Sequence, residues 1–157
     1  MRSHRHQEEM TVSADLVDPI PQNEQPYQIV GLNYVSLYIK DFRQAITFYS
    51  QVFGIPEAVD EKQERYGWRM GATWLTVFTS TAGTSQASNP RNTEFAIQVS
   101  AVEQVDRLHR ALIEAGAKEY MPPEDTTMYE PMRFSCVDDP FGVRIDIYCP
   151  LHRPSPL

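Results

Sequence analysis

The chain has 157 residues, the length of one domain or of two small modules that share a core. Its hydrophobic content of 41% is ordinary for a chain that buries a core, and no apolar run approaches the roughly 20 residues of a membrane span. The lack of such a run argues against a membrane, and the formal net charge of -7 with scattered basic residues argues against nucleic acid as a partner. The start lacks the apolar run of a secretory signal, which predicts a cytoplasmic protein.

Composition divides the chain into segments. The N-terminal part is polar, contains three prolines and shows no sustained periodicity, which is typical of an extended arm. The stretch from Ser80 to Arg91 is rich in Ser, Thr, Ala, Gly and Asn, which is typical of a linker. We therefore predict an arm at 1–26, a domain at 27–150 and a tail at 151–157, the domain consisting of module one at 28–79, a linker at 80–91 and module two at 92–150.

The first module begins with a predicted strand, because apolar and polar residues alternate up to Ile39. Asp41 is placed to cap the helix that follows, whose apolar residues recur at three- and four-residue spacing until Gly54 and Pro56 end it. Three short strand candidates follow, at 57–63, 66–71 and 74–79. The first module is therefore predicted to be βαβββ.

The second module repeats this order. A strand is predicted at 94–99 and a helix from Val102 to Ala115, closed by Gly116. Strands are expected near 118–121, 132–137 and 143–149, and the acidic stretch 122–131 is expected to be a long loop. Pairing two such modules buries or encloses the sheet face that each leaves uncovered. We predict an α+β fold in which two βαβββ modules form a cupped mixed β-sheet with flanking helices.

Alternation also identifies the side chains that face away from the core and would line a cavity: Tyr34, Ser36, Tyr38, Thr76, Glu94, Gln98, Arg144, Asp146 and Tyr148. Large apolar residues at strand spacing either contact a flat ligand or form ordinary core: Trp68, Met70, Trp74, Phe78, Met132 and Phe134. We predict a ligand-binding set of Tyr34, Tyr38, Thr76, Gln98, Arg144, Trp74 and Phe134. Cys136 and Cys149 form neither a CxxC pair nor a disulfide framework, which predicts reduced packing residues.

Several segments together resemble a known family. These are Tyr34-Val-Ser-Leu-Tyr-Ile-Lys-Asp41, the Phe-Tyr pair of the first helix, Glu94-Phe-Ala-Ile-Gln-Val99 and the turn Asp139-Pro-Phe-Gly. Over residues 29–150 the sequence resembles the vicinal oxygen chelate (VOC) superfamily of glyoxalase, bleomycin-resistance and extradiol dioxygenase proteins. The resemblance implies a dimer and a divalent metal held by one residue from each of four strands, at positions that match Tyr34, Thr76, Glu94 and Asp146. The family commonly has His at the first position of each half, and this sequence has Tyr34 and Glu94 there instead. The resemblance also implies that the loop 122–131 is either a mobile cover over the site or simply a solvated loop.

The roles of Glu94 and Asp146 stay open between three alternatives. These carboxylates can hold Mg²⁺ or Mn²⁺ weakly, or they can act as a metal-free acid and base. They can also be neutralised by Arg144, by hydrogen bonds from Tyr34 and Thr76, or by simple exposure to solvent. The candidate cofactor is Mg or Mn, and the alternatives differ in whether one binds.

Two functions follow from these alternatives. The first is a homodimer that binds a small organic molecule in the cavity without the usual His-based metal site. The alternative is a divalent-metal-dependent lyase or isomerase of the glyoxalase or epimerase kind, with Glu94 and Asp146 as catalytic residues. An extradiol dioxygenase is disfavoured because it needs histidine ligands. An interaction module that uses the N-terminal arm has no positive support in the sequence.

Overall fold

A computed structural model describes residues 21–24, 26–82, 87–128 and 130–151. Most of the predicted arm and the tail beyond Leu151 therefore lie outside the described residues. The chain divides into two compact units, Met1–Gly31 and Leu32–Leu157. The described part of the first unit contains one 3-10 turn, Gln22–Glu24. The second unit contains β1 (Tyr34–Ile39), α1 (Phe42–Phe53), β2 (Ala58–Asp60), β3 (Arg65–Met70), β4 (Thr73–Thr79), a 3-10 turn (Ser80–Ala82), β5 (Thr93–Gln98), α2 (Val102–Ala115), β6 (Lys118–Thr127), β7 (Pro131–Asp138) and β8 (Val143–Pro150).

The strands form two mixed four-stranded sheets with the same topology. The first sheet has the order β1-β4-β3-β2 and the second has the order β5-β8-β7-β6. In each sheet the first and last strands of the module run parallel, and the other pairs are antiparallel. Tyr34 lies opposite Trp74 in the first sheet, and Glu94 lies opposite Arg144 in the second. The predicted α+β fold of two βαβββ modules is confirmed.

One face of each sheet and the two helices share the main core. Leu37 and Ile39 of β1 are buried, and every second residue of β8 from Val143 onward is buried in the same way. Helix α2 contributes Val105 and Leu112, which are seven residues apart and therefore lie on one face of the helix. The opposite sheet faces carry polar side chains together with aromatic and other apolar ones.

A buried hydrogen bond connects the two modules. The hydroxyl group of Tyr49 on α1 donates to Oδ2 of Asp139 at 2.5 Å. The other oxygen of Asp139 accepts the backbone N–H groups of Phe141 and Val143, at 2.8 and 2.9 Å. Asp139 thus shapes the turn between β7 and β8 while it receives a donor from the other module. Burial raises the pKa of the Asp139 carboxyl and of the Tyr49 phenol.

Two sequence predictions about local structure are wrong. The stretch 122–131 was expected to be a loop, but β6 continues through it to Thr127. The register shifts between Met121 and Glu124, where Pro122 and Pro123 have no N–H to donate, and β6 is an edge strand, which tolerates this loss. The part of this stretch with Tyr129 is not described. An edge strand rather than a mobile cover therefore occupies most of this stretch.

The second correction concerns the start of α1. The side chain of Asp41 makes no capping hydrogen bond to the helix. Its Oδ2 instead accepts a hydrogen bond from Nδ2 of Asn89 at 3.0 Å. The amide oxygen of Asn89 accepts the backbone N–H of Lys40 at 3.0 Å and, more weakly, that of Asp41 at 3.4 Å. Asp41 therefore ties the predicted linker to the first module.

Candidate functional site

The face of the first sheet that points away from the core carries a depression. Its floor is a row of small residues that lie opposite one another across four strands: Ser36, Thr76, Gly67 and Ala58. Larger side chains stand two positions away along the strands, on the same face, because side chains alternate between faces. The resulting cavity has a volume of about 330 Å³. We call it the aromatic trough, and it is lined by Tyr34, Ser36, Tyr38, Ala58, Arg65, Gly67, Trp74, Thr76 and Phe78.

Aromatic rings form both walls of the aromatic trough. Tyr34 and Trp74 lie opposite each other on one side of the floor, and Tyr38 and Phe78 lie opposite each other on the other side. The rings of Tyr38 and Phe78 are stacked, with centroids 5.1 Å apart and planes 11° from parallel. The residues of the two walls are four positions apart along each strand, about 13 Å of backbone. This spacing leaves room for a flat system of two fused rings.

Gly67 keeps the floor of the aromatic trough low. A Cβ atom at this position would lie 3.4 Å from Cβ of Ala58 and 3.5 Å from Cε3 of Trp74. Both distances are ordinary van der Waals contacts, so the fold does not require a glycine at this position. The glycine therefore leaves space at the point where the floor meets the Trp74 wall.

Arg65 is the one charged residue among the described residues that line the aromatic trough. Its Nη2 lies 3.7 Å from Oδ2 of Asp60, which is an ion pair but longer than a hydrogen bond. The other oxygen of Asp60 accepts the backbone N–H groups of Lys62 and Gln63, both at 3.1 Å. The guanidinium of Arg65 thus keeps hydrogen-bonding capacity for a ligand.

The corresponding face of the second sheet carries the carboxylate pair, Glu94 and Asp146. Glu94 lies opposite Arg144, and Ala96 lies opposite Asp146, so the two carboxylates are diagonal neighbours on adjacent strands. A hydrogen bond with Asp146 and the negative charge of Asp146 raise the pKa of the Glu94 carboxyl. A carboxyl group with a raised pKa keeps its proton to higher pH, which is a property that acid and base catalysis uses.

Arg144 is held by neighbours other than the carboxylate pair. Its Nε and Nη2 donate to Asp138 at 2.9 and 3.1 Å, and its guanidinium lies 3.6 Å from the ring centroid of Tyr120. Arg144 also lowers the pKa of Glu94, but less than Asp146 raises it. Neutralisation of the carboxylates by Arg144 stays one of the predicted alternatives. These groups border a polar cavity of about 410 Å³, lined by Asn92, Thr93, Glu94, Asp138, Gly142 and Arg144.

The other predicted ligand contacts of the second sheet have protein partners. Gln98 accepts a hydrogen bond from the hydroxyl of Tyr148 at 3.2 Å. Phe134 is buried in a small cluster with Met132 and Cys136. Cys136 and Cys149 are free thiols, and burial raises the pKa of Cys136. Phe134 therefore lies in this apolar cluster, and it does not line the aromatic trough.

The four positions that match the family's metal site are divided between the two sheets. Tyr34 and Thr76 line the aromatic trough, whereas Glu94 and Asp146 form the carboxylate pair. Within the described ranges, no group of three or more His, Cys, Asp or Glu side chains is placed to hold a metal ion. Two carboxylates beside a guanidinium provide fewer oxygen ligands than Mg²⁺ or Mn²⁺ takes. Weak metal binding by Glu94 and Asp146 stays a prediction.

Sequence reasoning identified one side of the aromatic trough and missed the other. Tyr34, Tyr38, Trp74 and Thr76 were predicted to contact a ligand, whereas the contributions of β2 and β3, chiefly Arg65 and Gly67, were not. The alternation in β3 places Arg65, Gly67 and Arg69 on one face, and this signal is readable. Which of them lies opposite Thr76 depends on strand register, which the residues of β3 do not specify by themselves.

Comparisons with known proteins identify the family. Residues 31–147 match the model of the Glyoxalase/Bleomycin resistance protein/Dioxygenase superfamily. This match spans most of the chain and includes both modules, and the chain belongs to this superfamily. A comparison with curated proteins found no match.

Solved structures show the same fold at low sequence identity. A glyoxalase-related enzyme from Fulvimarina pelagi is 22% identical with a TM-score of 0.63, over 77% of this chain and 88% of that one. A glyoxalase/bleomycin resistance protein from Albidiferax ferrireducens is 23% identical with a TM-score of 0.63, over 75% and 98% of the two chains. A glyoxalase/bleomycin resistance protein/dioxygenase from Nocardioides is 18% identical with a TM-score of 0.63, over 87% and 95%. At these identities the likeness establishes the fold.

Both α-helices of the described part are short and amphipathic, with 12 and 14 residues. Neither has the length and apolarity of a membrane-spanning helix.

Proposed function

We propose that this chain binds a small organic molecule with a flat aromatic ring system in the aromatic trough, without a His-based metal site. The supporting observation is the pair of aromatic walls, Tyr34 with Trp74 and Tyr38 with Phe78, on either side of a floor of small residues. Aromatic pairs contribute about 0.5–1.5 kcal/mol each beyond the burial of their area, so walls of this kind favour flat rings. The hydroxyl groups of the floor add the few polar contacts that orient a ligand in an apolar site.

Equilibrium dialysis with 2-naphthamide, a neutral molecule of two fused rings, tests this proposal. The Tyr38→Ala variant removes half of one wall, and Tyr120→Ala is its matched control because Tyr120 is an exposed tyrosine of the second sheet. We expect saturable binding that Tyr38→Ala weakens about tenfold, since a loss of about 1.4 kcal/mol is a tenfold change in Kd. Tyr120→Ala should bind like the unmodified chain.

A second variant tests the floor of the aromatic trough. Gly67→Ala adds one methyl group where the surroundings accept it, so the chain should fold normally and bind 2-naphthamide more weakly. Circular dichroism checks the fold of each variant. Absence of saturable binding to the unmodified chain, or equal binding by Tyr38→Ala, contradicts the proposal.

We also propose that the chain forms a homodimer in the cytoplasm. β1 and β5 are edge strands of the two described sheets, and unpaired edges favour pairing with another chain. A cleft of about 910 Å³ lies between residues of the first module and β5, with Phe95, Ile97 and Val99 among its lining. Light scattering coupled to size-exclusion chromatography should give twice the chain mass of 18.0 kDa, and a monomer at micromolar concentration contradicts the proposed homodimer.

The proposed location in the cytoplasm is supported by the free thiols Cys136 and Cys149, because thiols stay reduced in such a compartment.

A further inference from the structure

We propose that the ligand of the aromatic trough carries a carboxylate on its ring system and that Arg65 recognises this group. This inference rests on the proposed function and deepens it. The chain as a whole has a formal net charge of -7, which disfavours anions at long range. The described lining of the aromatic trough nevertheless contains an arginine and no acidic residue. The one charged side chain of this lining is therefore positive, although the protein as a whole is negative.

The position of Arg65 suits a substituent at one end of a bound ring. Arg65 lies opposite Phe78, which in turn lies opposite Tyr38, so the three residues form one continuous row across the sheet. A flat ring that contacts the Tyr38 and Phe78 wall would have its edge close to the side chain at the end of that row. A carboxylate on that edge would meet the guanidinium, whose planar fork of donors matches two carboxylate oxygens.

The ion pair of Arg65 with Asp60 leaves the guanidinium accessible. The N–O distance of 3.7 Å is long, and the Arg65 side chain is 44% exposed. Exposed pairs of this kind contribute little to stability. Asp60 is held by the turn through its other oxygen, which accepts two backbone N–H groups. A ligand carboxylate would therefore not have to displace a tightly bonded partner.

Arg69 provides the contrast that makes this proposal testable. It lies on the same strand and face, but its guanidinium lies 4.6 Å from the ring centroid of Trp74. It lines the cleft beside β5 and is absent from the lining of the aromatic trough. Arg65→Gln and Arg69→Gln make the same change in net charge on the same strand. A difference between them reports direct contact rather than the overall electrostatic field.

The experiment compares two probes of nearly the same shape, 2-naphthoate and 2-naphthamide, by equilibrium dialysis at moderate ionic strength. We expect the unmodified chain to bind the naphthoate at least tenfold more tightly than the naphthamide. Arg65→Gln should abolish this preference, so that it binds the two probes equally well, whereas Arg69→Gln should keep the preference. Circular dichroism establishes that both variants fold.

Each contrary result has a distinct meaning. Equal affinity of the unmodified chain for the two probes overturns the carboxylate inference, while the proposed binding of aromatic molecules stands. A preference that survives in Arg65→Gln, or that Arg69→Gln removes equally, overturns the assignment to Arg65. Failure of both probes to bind overturns the proposed function, and the inference with it.

Discussion

Replacing Tyr49 with phenylalanine tests the buried contact that connects the two modules. Tyr49 is fully buried, and its hydroxyl is the donor to Oδ2 of Asp139, whose other oxygen already accepts two backbone N–H groups. The substitution keeps the ring, which packs against Phe48, Phe53 and Phe141 with centroid distances of 5.1, 5.9 and 6.5 Å. It removes only the hydroxyl and leaves one buried carboxylate oxygen without its donor.

The size of the effect follows from this geometry. Hydrogen bonds to charged groups contribute about 1.5–3 kcal/mol to folding, and a buried acceptor left without a donor loses an amount of this order. We therefore expect Tyr49→Phe to lower the free energy of unfolding by about 2 kcal/mol at neutral pH. For a domain of this size the loss corresponds to a decrease in Tm of about 8 °C.

The effect of Tyr49→Phe should depend on pH, because the bond is strongest when Asp139 is ionised. Burial raises the pKa of the Asp139 carboxyl, and the hydrogen bond from Tyr49 opposes this shift. A carboxyl whose folded pKa is raised favours folding most below its unfolded pKa of about 4, and this contribution is lost as pH rises through the folded pKa. Removing the hydroxyl raises the folded pKa further, so the deficit of the variant should shrink as pH falls toward 4.

Urea unfolding followed by circular dichroism measures the difference. The control is Tyr38→Phe, which removes a hydroxyl from a tyrosine that is 39% exposed. A lower midpoint with an unchanged slope is expected for Tyr49→Phe and little change for the control. The reasoning is refuted if the two variants have the same midpoint at pH 7.

Three further outcomes are expected. Gly142→Ala should lower the free energy of unfolding by at least about 2 kcal/mol in the same assay, because φ is +89° there and a new Cβ would overlap a carbonyl oxygen of the linker. An unchanged free energy of unfolding would contradict this. Asp146→Asn should lower the pKa of Glu94 in a carboxyl-detected NMR titration, since Asp146 causes its increase; an unchanged value would contradict the pairing. Trp68→Phe should cost about 1 kcal/mol or more, because the indole N–H donates to the Gly54 carbonyl at 2.8 Å; a neutral effect would contradict this.

Much of the fold is predictable from local patterns in this sequence. Helix α2 spans Val102–Ala115 as its periodicity and the following glycine predict. The alternation in β1 correctly separates the buried Leu37 and Ile39 from Tyr34 and Tyr38, which are exposed. These predictions succeed because the period of a helix or strand is a local property that burial imprints on consecutive residues.

Other features depend on partners distant in the sequence. Asp41 does not cap α1 because Asn89, 48 residues away, bonds its carboxylate. β6 continues past two prolines because it lies at a sheet edge, where a missing donor costs little. No local pattern reveals which strand will form the edge or which side chain will compete for a cap.

The same division holds for the candidate site. The sequence by itself determined which side chains of each strand leave the core, and so it identified Tyr34, Tyr38 and Thr76 as exposed to a cavity. Only the tertiary structure decided that Gly67 lies opposite Thr76 and Arg65 opposite Phe78, and that Glu94 and Asp146 belong to the other sheet. The physical reason is that a strand's alternation fixes the face of a side chain, whereas register and sheet order fix its neighbours.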